Sequence, residues 1–239
     1  LAVARAFDQR DTVRVSAEAE SGVFEFRTIQ TANLSEADRT TVFGLFDAAY
    51  RQANHTYLEK SLQRLRHIAI ATQGDRPAGF ALADARVIDL PRLPGTTVIL
   101  GGICCVHPAF RRQGLFTQLE RLAAMAAGVR PADRVLTVGR MAHPASYRVM
   151  SRNPAAVPRP GVTPTAWQQE VGGAIAAVFG VEEFDPETFV CRGSGVPIGY
   201  PVIEIDVPAE EWVVFEPVNR DRGDSLLGMS WMGGPPEGW

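Results

Sequence analysis

The stretch HPAFRRQGLF, His107 to Phe116, joins an apolar run to a segment with helical spacing. A turn at such a junction needs only the glycine, so the paired arginines call for a chemical reason. A helix start leaves backbone N–H groups without partners and carries partial positive charge, which makes it a ready anion site. Gly114 lets an anion approach the backbone closely, and Arg111 and Arg112 add permanently charged donors suited to phosphate oxygens. The bland alternative is a solvated turn whose arginines pair with surface acids. Two rival phosphate motifs fail: no G-x-x-x-x-G-K-[ST] occurs, and GSGVPIG at Gly193 to Gly199 has the wrong spacing for a dinucleotide fingerprint.

Just upstream, Cys104 and Cys105 raise a covalent possibility. Adjacent strand residues point to opposite faces, so at most one of the two faces a substrate. With His107 nearby, Cys105 is the candidate thiolate, set against the ordinary role of a buried cysteine as a small hydrophobe. A metal site fits poorly, because CCVH has no C-x-x-C spacing and no second cluster.

The elements that must position these groups follow from periodicity. Residues 1 to 22 mix charges with Ala and Ser and are expected to form a weakly ordered arm. VFEFRTI alternates apolar and polar residues like a strand. A helix follows with Ser35 as N-cap and Asp38 three positions on. A second helix spans about Thr56 to Leu65. HIAIAT, QGDRP and AGFALADARVID give strand, turn, strand. After a loop, LPRLPG, the run TTVILGGICCV is too β-branched and glycine-rich for a helix and fits a central strand. Gly101 and Gly102 within it mark a bulge or a close approach to the backbone. LFTQLERLAAMAAG is a helix stopped by Gly128, RVLTVG a strand, and HPASYRVMSR a short helix. The order through residue 152 is a mixed α/β pattern on one sheet.

Beyond Asn153 the composition shifts to a Pro-rich connector, a helical TAWQQEVGGAIAAVFG, and three strand-like runs, VIEIDV, WVVFEPV and LLGMSW. Trp167, Trp212, Trp231 and Trp239 all fall in this tail, which therefore has much apolar area to bury. The RGD triplet within VNRDRGDSLLG is expected to be a polar turn and not an adhesion signal.

Composition bounds the partners. The 239 residues are 46% hydrophobic with a formal net charge of -3, which fits one globular domain with an extension and gives no global attraction to nucleic acid or an anionic membrane. Any anion site must be local. Lys60 is the one lysine, so the cationic chemistry belongs to arginine. Three cysteines, an odd number with two adjacent, argue against a disulfide framework and for a reducing, cytoplasmic setting. No run approaches the roughly 18 apolar residues of a membrane helix, and residues 1 to 22 lack the pattern of a signal peptide.

CVHPAFRRQGLFTQLERLAA resembles the central motif of the GCN5-related N-acetyltransferase (GNAT) superfamily. The motif is a strand ending in an apolar residue, then x-P-x-x-R and R-x-x-G-x-[G/A] opening a helix, and Val106, Pro108, Arg111, Gly114 and Phe116 stand at its positions. The resemblance spans roughly residues 23 to 152. Phe116 departs from it by standing where the family usually has a small residue.

What the resemblance implies is a central mixed, mostly antiparallel twisted sheet flanked by helices, with residues 23 to 153 as the acyltransferase core and 154 to 239 as an extension completing or capping the sheet. It implies acetyl-CoA, or another acyl-CoA, held by Arg111, Arg112, Gln113, Gly114, Leu115, Phe116 and Thr117 at its pyrophosphate and by Cys104, Cys105 and Val106 along its pantetheine. The reaction implied is direct attack on the thioester by an amine of a small molecule. Alternatives are a longer acyl-CoA or carrier-protein donor, other acyl chemistry such as decarboxylation, or a catalytically silent acyl-CoA-binding sensor or partner module. No carboxylate on TTVILGGICC offers a base. Tyr147, in the helix where the family commonly keeps its acid, is the candidate, although the usual N-x-x-A-x-x-x-Y spacing puts Met150 at that place. Asn54, His55 and Tyr57 are the candidate acceptor-pocket residues by position, and a homodimer face is one use the tail can serve.

Overall fold

The computed structural model describes residues 15–19, 22–130 and 132–239. Residues 1–14, 20 and 21 of the expected N-terminal arm lie outside these. The elements run β1 (Val15–Ala19), β2 (Gly22–Gln30), α1 (Glu36–Ala49), β3 (Tyr50–Arg51), α2 (His55–Arg64), β4 (His67–Gln73), β5 (Arg76–Leu90), β6 (Leu93–Val106), α3 (Leu115–Ala126), β7 (Val135–Met141) and α4 (Pro144–Ser151). Then come α5 (Ala166–Val178), β8 (Phe184–Asp185), β9 (Val190–Cys191), β10 (Tyr200–Pro201), α6 (Ala209–Trp212) and β11 (Ser225–Met232).

Among the described residues one nine-stranded sheet runs in the order β1-β2-β4-β5-β6-β7-β11-β9-β8, and β10 pairs separately with β3. The sheet is mostly antiparallel; β6 and β7 form its parallel pair, linked through α3 in the crossover that parallel strands require.

Side-chain size along the strands decides which helix lies where. In β4, Ile68 and Ile70 point to one face and Ala69 and Ala71 to the other. The bulky side packs with Val42, Leu45 and Phe46 of α1 and Leu58 and Leu62 of α2. The small side, with Ala81 and Ala83 of β5, receives Leu115, Leu119 and Ala123 of α3. A Cβ on Gly79 would lie 2.9 Å from the Leu119 side chain, so that glycine permits the close approach of α3.

Local signals were mostly sufficient. Ser35 accepts from the Asp38 amide at 3.1 Å while the Asp38 carboxylate accepts from the Ser35 amide, a complete capping box on α1. Three expectations need correction. LPRLPG is no loop: Pro91 and Arg92 make a tight turn and β6 begins at Leu93, paired with Leu90. VIEIDV joins no strand, bending at Val202 and Ile203 and running on irregularly, and WVVFEPV is a helical turn, with Trp212 ending α6 and Val213–Phe215 continuing it as a 3-10 turn.

The tail is ordered and integral. β11 pairs along β7 from Leu226 with Met141 to Met232 with Val135. Trp239 packs edge-on against both Trp167 and Trp231. Asp224 of the RGD triplet is 1% exposed and accepts from the amides of Gly193 and Asn219, so the triplet is a structural turn.

Candidate active site

The site lies where β6 and β7 part company. Their parallel pairing runs from Val98 with Leu136 to Gly101 with Gly139, and β6 continues to Val106 beside β5 alone. Residues 102 to 106 therefore present an open backbone edge toward the diverging end of β7. The register also slips at this point: Ala81 pairs with Cys104 but Ala83 with Gly101, so two β6 residues, Gly102 and Ile103, oppose Leu82 alone. The expected bulge is present. Its glycines serve packing, since a Cβ on Gly102 would come within 2.9 Å of the Leu82 Cβ.

Above the open edge, the chain turns from β6 into α3. The His107 amide stays on the sheet by donating to the Ala78 carbonyl at 2.9 Å. Pro108–Phe110 form a 3-10 turn, pinned by Phe110, which is 4% exposed and meets Phe24 edge-on. Arg112 (φ +66°) and Gly114 (φ +75°) both adopt left-handed backbone, and left-handed residues in such a loop turn successive N–H groups to one side. Gln118 donates back to the Gly114 carbonyl, which leaves the amides of Leu115, Phe116 and Thr117 without helical acceptors. The result is a concave row of donors at the positive end of α3.

The two arginines divide their duties. Arg112 is exposed beside these amides. Arg111 instead turns inward, donating to the Ile203 carbonyl at 2.6 Å and toward the Val106 carbonyl at 3.5 Å. This fastens a strap, residues 197 to 204, across the mouth of the cleft. At the strap's other points, the Asn54 amide donates to the Ile198 carbonyl, the Val202 amide to the Ala49 carbonyl, and β10 pairs with β3. Glu204 faces His143 Nε2 at 3.4 Å and Arg220 at 2.8 Å.

The candidate acceptor residues are thereby placed in different surroundings. Asn54 caps α2, accepting from the Tyr57 amide at 3.0 Å and donating to the Pro197 carbonyl. His55 pairs with Asp47 of α1 at 2.6 Å and stands edge-on to Phe43. Tyr57 packs against the α1–α2 core and lies near Tyr50.

The candidate catalytic groups lack the means of activation. Cys105 is 2% exposed, and burial pushes its thiol far above the ordinary range, with only partial relief from Arg111. Cys104 points to the opposite face, where its thiol contacts the Phe116 carbonyl at 3.8 Å, and burial raises it as well. Tyr147 is 3% exposed, its hydroxyl donates to the Pro158 carbonyl, and its ring packs on Phe215. Burial keeps that phenol protonated. His143 Nδ1 accepts from the Ala145 amide, which fixes the proton on Nε2, and burial lowers its basicity. Among the described residues, no group of His, Cys, Asp and Glu is arranged to hold a metal.

Three site residues escaped the sequence reasoning. Tyr50 follows α1 directly and its hydroxyl region neighbours Cys105, Cys104 and Arg111; nothing in the local pattern marks it. Glu120 of α3 lies close enough to Cys104 for its charge to raise that thiol, and Thr137 of β7 has a buried hydroxyl without a partner. A glutamate in register with Phe116 and Ala124 on an otherwise apolar helix face was the available signal. A separate cavity of about 800 Å³, walled by the Pro-rich connector and Trp231 and Trp239, carries no cysteine, histidine or carboxylate.

No family model matches this chain, and no curated protein matches it. Solved structures similar to it include the ribosomal-protein-S18-alanine N-acetyltransferase from Escherichia coli, at 14% identity and TM-score 0.38 over 90% of this chain and 98% of that one. ElaA from Escherichia coli aligns at 14% identity and TM-score 0.39 over 53% of this chain and 84% of that chain. An aminoglycoside N-acetyltransferase, AAC(6')-Iy, solved in complex with CoA, aligns at 20% identity and TM-score 0.31 over 51% and 74%.

Proposed function

We propose that this chain is a GNAT-superfamily acyltransferase that moves an acyl group, acetyl in the first instance, from coenzyme A to an amine of a small molecule. The observation that carries the reading is the conjunction of an open, bulged β6 edge with the donor-lined start of α3. A pyrophosphate fits the amides of Leu115 to Thr117 with Arg112 alongside, Gln113 and Gly114 shaping the loop. A pantetheine arm, rich in amides, fits the unpaired edge at Cys104 to Val106 in the manner of an added strand.

The chemistry follows from that placement. The acceptor nitrogen attacks the thioester carbon, the carbonyl oxygen gains charge, and backbone N–H groups at the bulge stabilise it. The C–S bond then breaks, the thiolate takes a proton, and the amide product leaves. An alkylamine with a pKa of ~10 must first lose a proton. Neither Cys105 nor Tyr147 is assigned a step, because one is an inactivated thiol and the other is held by Pro158.

Calorimetric titration with acetyl-CoA tests the donor site. Wild-type protein should bind, and Arg112→Ala should bind about tenfold more weakly, the contribution expected of one charge-assisted phosphate contact of ~1.5 kcal/mol. Arg111→Ala is a poorer probe, since it also releases the strap. Absence of binding would overturn the reading. A panel of amines assayed by free-thiol release then tests transfer. The strap across the cleft and the lack of an activated side chain favour one second reading, a silent acyl-CoA-binding module. Any turnover would exclude it.

A further inference from the structure

The end of the sheet remote from the candidate active site holds the cavity of about 800 Å³, a size within the span of small-molecule sites, roughly 300 to 1,000 Å³. Its position follows from strand register. Trp231 and Met232 of its wall pair with Leu136 and Val135 at the start of β7, whereas the β6–β7 pairing runs on to Gly101 and Gly139 before the strands part. The Pro-rich connector supplies much of the remaining wall and is held to β11 by the two bonds between Val157 and Met229. Trp231 and Trp239 stand edge-on with ring centroids 5.5 Å apart and, with Pro158, Val162 and Pro164, give the cavity a broad apolar lining.

The polar groups of this wall are unequally used. Several of its carbonyls are engaged: that of Ala155 accepts from Trp239 Nε1, Pro158 from the Tyr147 hydroxyl, Pro164 from Gln169, and Trp231 from Asn153. Donors are left over. The Gln168 side chain, in a residue 9% exposed, faces the Thr165 amide at 3.0 Å. That N–H can only donate, so the atom facing it is Oε1, and Nε2 is left without a hydrogen bond among the described residues. Arg159 has no ion pair among the described residues, and no carboxylate lines the cavity. Trp231 Nε1, on the same wall, is buried with no acceptor. Native interiors match donors with acceptors, and here the surplus is all of one kind.

We propose that this cavity is a second binding site, for a small carboxylic acid with a flat apolar body. The body lies against Trp231 and Trp239, the carboxylate meets the Arg159 guanidinium, whose fork can take both oxygens, and Gln168 Nε2 donates to an oxygen of the same ligand. An ionised acid suits such a wall because its carboxylate brings acceptors only. A peptide would bring amide N–H groups of its own to carbonyls already engaged, and a cation would meet Arg159 with no carboxylate to balance it. The site goes beyond the acyl-CoA reading and does not depend on it, since every residue lining the cavity lies at or beyond Asn153.

The test is titration of the full chain with benzoate, 1-naphthoate and indole-3-acetate, each beside its uncharged amide, followed by calorimetry and by quenching of tryptophan emission. At least one acid should bind saturably, and about tenfold more tightly than its amide, as one charge-assisted contact provides. Arg159→Gln should erase that preference. Gln168→Glu keeps an oxygen for the Thr165 amide while replacing the donor with a negative charge, so it should weaken acid binding by about tenfold or more. Both variants should still unfold as cooperatively as wild type, and should one of them fail to fold, the other carries the test. Excess coenzyme A should leave acid binding unchanged. Failure of all three acids to bind wild-type protein would overturn the proposal. So would equal affinity for acid and amide, a preference that survives Arg159→Gln, undiminished binding to folded Gln168→Glu, or displacement by coenzyme A, which would put the acid in the active cleft instead.

Discussion

Around the candidate site, burial sets the character of single residues more than neighbouring charge does. Cys105 has the position of a nucleophile and the environment of a packing residue. Thiol reagents should leave it unmodified until denaturant is added, and Cys105→Ala should retain turnover; a complete loss of activity would restore it to the mechanism. Tyr147→Phe should lower stability by about 1–2 kcal/mol, through loss of the bond to Pro158, with acetyl-CoA affinity unchanged. Glu120 also leaves a mark on stability. Its folded-state pKa lies above the ordinary glutamate value of ~4.3, so its neutral form favours the fold. That contribution is complete at low pH and is lost as pH rises through about 7. Asp38 and Asp224 act in the opposite sense: hydrogen bonds and arginine partners outweigh their burial and lower their pKa, so their contribution is lost as pH falls into the acid range. Thermal unfolding of wild type and Glu120→Gln should therefore diverge between mildly acidic and neutral pH, with the variant the less pH-sensitive. Parallel melting curves across that window would refute the assignment.

Among the elements, α3 and the strap present opposite cases of legibility. The start of α3 was plain in HPAFRRQGLF because a left-handed glycine, a fixed proline and an apolar repeat are all local requirements. The bulge at Gly102 was equally visible, since glycine inside a β-branched run has few other uses. VIEIDV was not legible. Its alternation satisfies a strand, yet it joins none: the Val202 amide donates to the Ala49 carbonyl and Arg111 donates to the Ile203 carbonyl. WVVFEPV misled for a related reason: Val213 faces solvent while Phe215 is buried, a pattern a single helical turn satisfies as well as a strand does. The roles of Arg111 and Asn54 were hidden because both depend on contacts with a segment far along the chain. Gly199, at φ +135° with Tyr50 Cβ only 3.0 Å from any added Cβ, is where the strap is most sensitive. Gly199→Ala should cost about 1–3 kcal/mol and hasten proteolytic cleavage between residues 199 and 208, whereas an unchanged digestion pattern would mean the strap is held elsewhere.

Taken whole, the molecule is a sheet whose parallel β6–β7 seam sits near its middle and whose far edge is completed by the tail. No helix among the described residues is long and apolar enough to cross a membrane. The fold class followed from the order of elements through residue 152, but the contribution of β11 could not, because strand pairing over such a separation leaves no local trace. Leu226, Leu227 and Met229 are fully buried against the rest of the sheet and its helices. Ending the chain at Asn153 should consequently yield aggregated protein, and recovery of a monomer with native circular dichroism would show that the core stands alone. β7 is complete at Met141 but obtains its second neighbour only when Leu226 has been made. On a ribosome adding about 5–20 residues per second, the bare edge of β7 waits several seconds for that partner. The parallel seam and α3 can assemble during that interval, and it is then that a nascent chain has most need of a chaperone.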